Sequence, residues 1–205
     1  MADKAIRVYL IIEDTAQEIV VRALFRHLSC EEGVKISISK AIMGGYGGVL
    51  KEIKGFQRAL SKGAIPSGSP DLLLVLGDSN CHNFQERKKE IVSTIDSNVF
   101  PFLVVGCPDP HIEKWLLIDP HALNLVFGAS LSISLDKCKR DYYKDELKRI
   151  IRLAGWPMTQ EGIEYSQDII EKIDFTRAEK NDHSFKYFIS DLRSILRNIK
   201  EAFQA

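Results

Sequence analysis

The sequence lacks an excess of charge of either sign, since 28 Lys and Arg residues balance 28 Asp and Glu residues among 205. A net charge of zero provides no overall attraction to nucleic acid, so any such binding must come from a local patch. No run approaches the roughly 18 to 20 uncharged apolar residues of a membrane span, and the N-terminal residues show no signal-peptide pattern. These absences predict a cytoplasmic protein without a membrane segment.

Cysteine motifs and the common phosphate-binding motifs are also missing. The four cysteines are scattered and form no CxxC pair, which argues against a zinc site or a redox dithiol and predicts four reduced thiols. Neither GxxxxGK[ST] nor GxGxxG occurs. The Gly-rich stretch Gly44–Gly48 is the remaining candidate for a phosphate-binding segment, in which backbone amides would approach a phosphate, and its alternative interpretation is a flexible turn.

The first 125 or so residues alternate between strand and helix patterns. Continuous apolar runs of the kind found in buried parallel strands occupy 7–12, 71–76 and 99–105, and 34–42 alternates like an edge strand, which we expect to be antiparallel. Helical spacing occupies 16–28, 49–61 and 83–95, and a helix beginning at 111 is expected to be interrupted at Pro120. The pattern predicts an α/β fold with a mostly parallel, Rossmann-like sheet over residues 1–128.

Residues 129–205 show little strand signal. Helices are expected over 141–154, 165–173 and 185–203. This part is predicted to be a mostly helical C-terminal extension that packs on the α/β core.

Three acidic residues follow apolar runs. Glu13 closes the first predicted strand, Asp78 closes the 72–77 run, and Glu113 comes after the third run and a Pro-rich turn. In open α/β sheets, ligands bind at the carboxyl ends of the strands, so we expect these carboxylates to face a solvent-filled cleft at one rim of the sheet. Converging carboxylates are the ligands that Mg²⁺ prefers, and Asn80 adds an amide oxygen with no charge.

Each of these residues also has a structural interpretation. Acids near a helix start can cap it or complement its dipole, and the pair Asp78 and Asn80 can stabilise a turn through backbone hydrogen bonds. Position alone leaves both interpretations open.

A basic stretch with interleaved tyrosines runs from residue 137 to residue 152. Lys139, Arg140, Lys148 and Arg149 are its candidates for contact with a nucleic-acid backbone. Acidic residues dilute the stretch, so a solvated helix face with ion pairs three or four residues apart is an equally good interpretation.

The order of these elements resembles the TOPRIM-like proteins of a bacterial family of unknown function, often encoded beside AAA-type ATPases in proposed phage-defence loci. That family begins with strand-Glu-Gly-x-Thr-Glu-helix, matched by the segment 12–18, and continues with Asp-x-Asp, matched by 78–80, and a Lys or Arg, matched at 87–88. Its Glu-x-Trp element is matched by 112–119, and its Ser-Phe before a last helix by 184–185. The Glu-x-Trp element is the most specific part of the resemblance.

The resemblance implies a TOPRIM-type sheet and assigns roles to individual residues. Glu13 takes the place of the general acid/base, and Asp78, Asn80 and Glu113 take the places of the Mg²⁺ ligands. Asp14 replaces the family's glycine and Asn80 replaces its second acid, and these differences concern catalysis more than fold.

Three functions follow as hypotheses. The first is a nuclease, dependent on Mg²⁺ or Mn²⁺, that cleaves nucleic-acid phosphodiesters in bacterial defence. The second is a non-catalytic TOPRIM-like subunit that binds or regulates an ATPase partner. The third is a small-molecule binding protein, which is favoured if the acids are helix caps.

Overall fold

The computed structural model describes residues 4–128, 134–135, 138–139 and 141–204. Its four strands are β1 (Ile6–Ile12), β2 (Ile36–Ile42), β3 (Leu72–Leu76) and β4 (Leu103–Gly106). The α-helices within the described residues are α1 (Thr15–Glu32), α2 (Tyr46–Ser61), α3 (Phe84–Ser93), α4 (Lys114–Leu117), α5 (Pro120–Phe127), α6 (Tyr142–Leu153), α7 (Ser166–Lys172), α8 (Phe175–Asn181) and α9 (His183–Gln204), and a short 3-10 helix (Ile163–Tyr165) precedes α7.

The strands form one parallel sheet in the order β2-β1-β3-β4. The α/β class and the parallel sheet flanked by helices are therefore confirmed. The expectation of an antiparallel β2 is wrong, because β2 pairs with β1 in parallel, with Ile6 opposite Ile36 and Ile12 opposite Ile42. Helix α1 lies between the two strands in the chain, and a crossover of that kind returns the chain in the same direction.

Alternate strand residues face two hydrophobic layers. On one face, even-numbered β1 residues such as Val8 and Leu10 pack with α1 and with the C-terminal helices, including α9. On the other face, Ile11 packs with residues of α2 and α3. All five residues of β3 are buried, which explains why that strand reads as an unbroken apolar run.

The C-terminal helices share the core of the sheet. Phe185 and Phe188 of α9 are buried against Trp115, with ring centroids 5.6 and 4.9 Å away. A Cβ atom at Gly106, the last residue of β4, would lie 2.7 Å from Cδ2 of Phe188. A glycine at that position therefore allows α9 to approach the end of β4 closely.

One local expectation is wrong, and one helix was not predicted. Pro120 begins α5 instead of interrupting a helix, because the first helical position needs no N–H donor. Helix α8 was not expected at all; its seven residues follow Asp174, whose side chain accepts a hydrogen bond from the backbone N–H of Arg177.

Within the described part of the chain, no helix is both long enough and apolar enough to cross a membrane.

Candidate functional site: an acidic cleft

A cleft of about 520 Å³ lies at the carboxyl ends of β1, β3 and β4. Its lining is dominated by carboxylates and is called here the acidic cleft: Glu13, Asp14, Asp78, Glu113 and Asp141, with Asn80, Cys81, His111 and Lys144. The expected meeting of the Glu13, Asp78 and Glu113 side chains at one rim of the sheet is confirmed. The chain crosses over between the strands, and parallel strands bring their carboxyl ends to the same edge.

Glu13 directly follows β1 and is held by two hydrogen bonds. Its Oε1 accepts from the backbone N–H of Asp78 at 2.7 Å, and its own N–H donates to Oε1 of Gln17 at 3.0 Å. Burial, followed by the negative charge of Asp78, raises the pKa of Glu13 to about 7. A carboxyl group with such a pKa can both take up and release a proton near neutral pH.

Asp78 is the most enclosed acid of the acidic cleft, with 8% of its surface exposed. Its Oδ1 accepts a hydrogen bond from Nε2 of Gln17 at 2.9 Å, and its Oδ2 lies 3.4 Å from Nδ1 of His111. Burial raises the pKa of Asp78, and the contact with His111 opposes that rise. Asp78 lines the expected cleft, although its carboxylate is largely buried and each of its oxygens contacts a neighbouring side chain.

Neither Gln17 nor His111 was predicted from the sequence to belong to the site. Gln17 is fully buried in the first turn of α1, and it links the end of β1 to the end of β3. The signal available for Gln17 was its position three residues after Asp14, the N-cap of α1, where a Gln side chain can bond back to the backbone ahead of the helix.

Glu113 is the N-cap residue of the short helix α4, although its side chain caps no backbone group there. Burial raises its pKa, and the charges of Asp78 and Asp14 add to that effect. Asp14, in contrast, caps α1, since its Oδ1 accepts from the backbone N–H of Gln17 at 2.9 Å.

The turn after β3 has an unusual backbone. Asn80 and Cys81 have φ angles of +48° and +70°, in the left-handed region. The turn is fixed to the loop after β4 by two backbone hydrogen bonds, from Ser79 to the carbonyl of Pro108 at 2.8 Å and from Asn80 to that of Pro110 at 3.1 Å. These bonds hold Asn80 in the lining of the acidic cleft.

A buried polar network connects this turn to α9. Ser79 donates to Oδ1 of Asp109, whose backbone N–H donates in turn to Oγ of Ser184. Ser184 also accepts from Nε1 of Trp115 at 3.0 Å and donates to Oδ1 of Asp182 at 2.5 Å. The Trp of the Glu-x-Trp element and the Ser of the Ser-Phe element therefore touch, and Ser184 has a structural role.

The basic candidates of α6 are engaged in ion pairs. Arg149 pairs with Glu146 at 2.7 Å, and Lys148 pairs with Glu161 at 3.1 Å and with Asp145 at 3.7 Å. Lys139 is exposed. The fourth candidate, Arg140, lies outside the described residues.

Cys81 and Cys138 are paired as a disulfide, with Cα atoms 5.7 Å apart. The expectation of four reduced thiols is therefore wrong for these two residues, while Cys30 and Cys107 are free. Fifty-seven positions separate the paired cysteines in the sequence, so spacing gave no indication of the bond. The disulfide connects the wall of the acidic cleft to the segment that leads into α6.

The Gly-rich segment before α2 attaches to the same edge of the sheet. The backbone N–H of Gly44 donates to the carbonyl of Glu13 at 2.8 Å. Tyr46 then begins α2, with the guanidinium carbon of Arg87 4.1 Å from its ring centroid. The positive charge of Arg87 opposes the rise in the pKa of Glu13. Arg87 therefore favours the ionised form of Glu13 through its charge, without lining the acidic cleft.

The donor set of the acidic cleft suits a hard divalent cation, but the donors are not preassembled around one. Among the described residues, no group of three or more His, Cys, Asp or Glu side chains is arranged to hold a metal ion. Mg²⁺ usually keeps several waters and is held by one or two carboxylates together with substrate phosphates. Asp78 and Glu113, with the amide oxygen of Asn80, could hold an ion of this kind once a phosphate completes its coordination.

Comparisons of the chain with models of protein families, with curated proteins and with solved structures found no match in any of the three.

Proposed function

We propose that the acidic cleft is the active site of a Mg²⁺- or Mn²⁺-dependent nuclease with a TOPRIM-type sheet, acting on phosphodiesters of DNA or RNA. One observation carries the proposal. Three carboxyl groups, from the segments that follow β1, β3 and β4, share one cleft, and burial raises the pKa of all three. A bound cation would stabilise the ionised form of these carboxyl groups, which burial and mutual repulsion disfavour when no cation is present.

The side chains divide into two roles. Asp78, Asn80 and Glu113 would hold the cation, which when bound polarises the phosphoryl group and activates a water. Glu13 takes up and releases a proton. Its Oε1 is fixed by the N–H of Asp78, so the carboxyl group has a defined orientation toward the cleft.

The proposal is tested by incubating the protein with labelled single-stranded DNA, duplex DNA and RNA in Mg²⁺, in Mn²⁺ and in EDTA. We expect cleavage of at least one substrate that requires the metal. Glu13→Gln and Asp78→Asn should abolish cleavage while the variants stay folded, because both amides retain an oxygen that accepts a hydrogen bond.

A matched control is Glu86→Gln, which neutralises an exposed acid on α3 outside the cleft lining and should leave cleavage unchanged. Equal cleavage by Asp78→Asn and the wild type would contradict the assignment of the site.

The second candidate function is a non-catalytic TOPRIM-like subunit that binds or regulates a partner, such as an AAA-type ATPase. It is favoured by the neutral Asn80 and by the engagement of both Asp78 oxygens with Gln17 and His111. If the wild type neither cleaves nor binds metal but Asn80→Asp gains metal binding, the nuclease proposal fails and this candidate stands.

A further inference from the structure

The acidic cleft has one cationic side chain of the lysine or arginine type among its described lining residues, Lys144. Five carboxylates line the same space. A phosphodiester entering this space would be repelled by the carboxylates, because like charges in a poorly solvated site interact strongly. The position of Lys144 therefore matters more for an anionic substrate than that of any lysine on the outer surface.

Lys144 is placed by the first turn of α6. Its neighbour Tyr143 is 1% exposed, and the Tyr143 hydroxyl donates to the carbonyl of Leu135 at 2.6 Å. Tyr143 also lies beside the ammonium of Lys114, 5.8 Å from its ring centroid. This buried anchor fixes the start of α6 and directs the next residue to the cleft.

The ammonium of Lys144 is paired with Glu161 of the loop after α6. Glu161 also pairs with Lys148, and its side chain is 55% exposed. Its backbone has a φ angle of +58°, in the left-handed region. Ion pairs exposed to this degree contribute little to stability, so exchange of the Glu161 carboxylate for another anion costs little.

We propose that Lys144 binds a phosphate of the nucleic-acid substrate in the acidic cleft, and that Glu161 holds the ammonium in position until the phosphate replaces it. This inference rests on the proposed nuclease function. It distinguishes Lys144 from Lys148, which shares the same partner but is absent from the cleft lining. Lys144 was part of the basic stretch in the sequence, and only the structure separates it from its neighbours.

The two lysines provide a matched pair of variants. Binding of short labelled DNA and RNA oligonucleotides is measured by fluorescence anisotropy over a range of salt concentrations, with Ca²⁺ in place of Mg²⁺ to slow turnover. Lys144→Met should weaken binding about 10- to 100-fold, as expected for loss of a charge-assisted contact, and should reduce the salt slope by about one. Lys148→Met should have the smaller effect, about two-fold or less, because Lys148 is absent from the cleft lining and its loss removes no contact to the substrate.

Two more variants separate a phosphate contact from a structural role. Lys144→Arg should restore most of the affinity, since it retains the charge. Glu161→Gln should tighten binding, because the phosphate then displaces no carboxylate.

The outcomes distinguish this inference from the proposed function. If the wild type binds and Lys144→Met binds as Lys148→Met does, the role of Lys144 is refuted and the nuclease proposal is untouched. If the wild type binds no oligonucleotide under any condition, the nuclease proposal falls, and the role of Lys144 falls with it.

Discussion

Neutralising Glu13 should stabilise the protein at alkaline pH and have little effect at acid pH. The pKa of Glu13 is raised from 4.5 to about 7 in the folded protein. Between these values the folded protein retains a proton that the unfolded chain has released, so the free energy of unfolding falls as the pH rises through this range. The cost of ionised Glu13 is absent below about pH 4.5 and complete above about pH 7.

The size of the effect follows from the same two pKa values. At about 1.4 kcal/mol for each pH unit, the interval between 4.5 and about 7 corresponds to about 3.5 kcal/mol at most. Glu13 is only partly buried, and solvent screening reduces this figure to about 2 kcal/mol. Glu13→Gln retains an oxygen that accepts from the N–H of Asp78, so the substitution removes the charge and keeps the hydrogen bond.

Thermal unfolding in EDTA at pH 5 and pH 8 measures the prediction. For a chain of this length, about 2 kcal/mol corresponds to a Tm increase of about 4 to 8 °C, which we expect for Glu13→Gln at pH 8. At pH 5 the difference should shrink to about 2 °C or less, because wild-type Glu13 is then mostly protonated. Glu86→Gln is the surface control. A Tm difference that is the same at both pH values, or a destabilised variant at pH 8, would refute the electrostatic description of the cleft.

Further predictions concern the metal, the buried network and the thiols. Asn80→Asp should tighten Mg²⁺ binding, measured by isothermal titration calorimetry, because it adds ligand charge; unchanged binding would remove Asn80 from the ligand set. Ser184→Ala should lower the free energy of unfolding by about 1 to 3 kcal/mol in chemical denaturation, because the indole N–H of Trp115 and the backbone N–H of Asp109 lose their acceptor; a neutral substitution would show that water replaces the hydroxyl. Thiol titration under denaturing, non-reducing conditions should find two reactive thiols per chain, since the other two cysteines are paired; four would exclude the disulfide.

The parallel sheet and the acidic residues at the carboxyl ends of its strands were predictable, because both follow from local sequence patterns. An apolar run such as 72–76 has to be buried on both faces, and a parallel sheet does this for its inner strands. Glu13 and Asp78 follow such runs, so their meeting at one edge follows from topology alone. The direction of β2 was not predictable in the same way, because its alternating pattern fits an edge strand of either orientation.

The contacts that fix the site were not visible in the sequence. In the sequence, Gln17 is indistinguishable from an ordinary polar residue on a helix surface. Only the fold shows that its side-chain amide bridges Glu13 and Asp78. His111 gives a similarly weak signal, because its contact with Asp78 joins residues that are distant in the chain. Such contacts depend on how strand ends and helix starts are oriented, and residue spacing does not encode this orientation.

The measurement that tests the central claim most directly is a crystal structure of the protein soaked in Mn²⁺ and a short oligonucleotide, whose phosphate completes the coordination of the ion, with the ion located by its anomalous scattering. We expect a peak in the acidic cleft about 2.0 to 2.6 Å from carboxylate oxygens of Asp78 and Glu113, and no such peak in crystals of Asp78→Asn. A wild-type crystal with no ion in the acidic cleft, or with its ion bound elsewhere, would contradict the claim that these carboxylates form a metal-dependent active site.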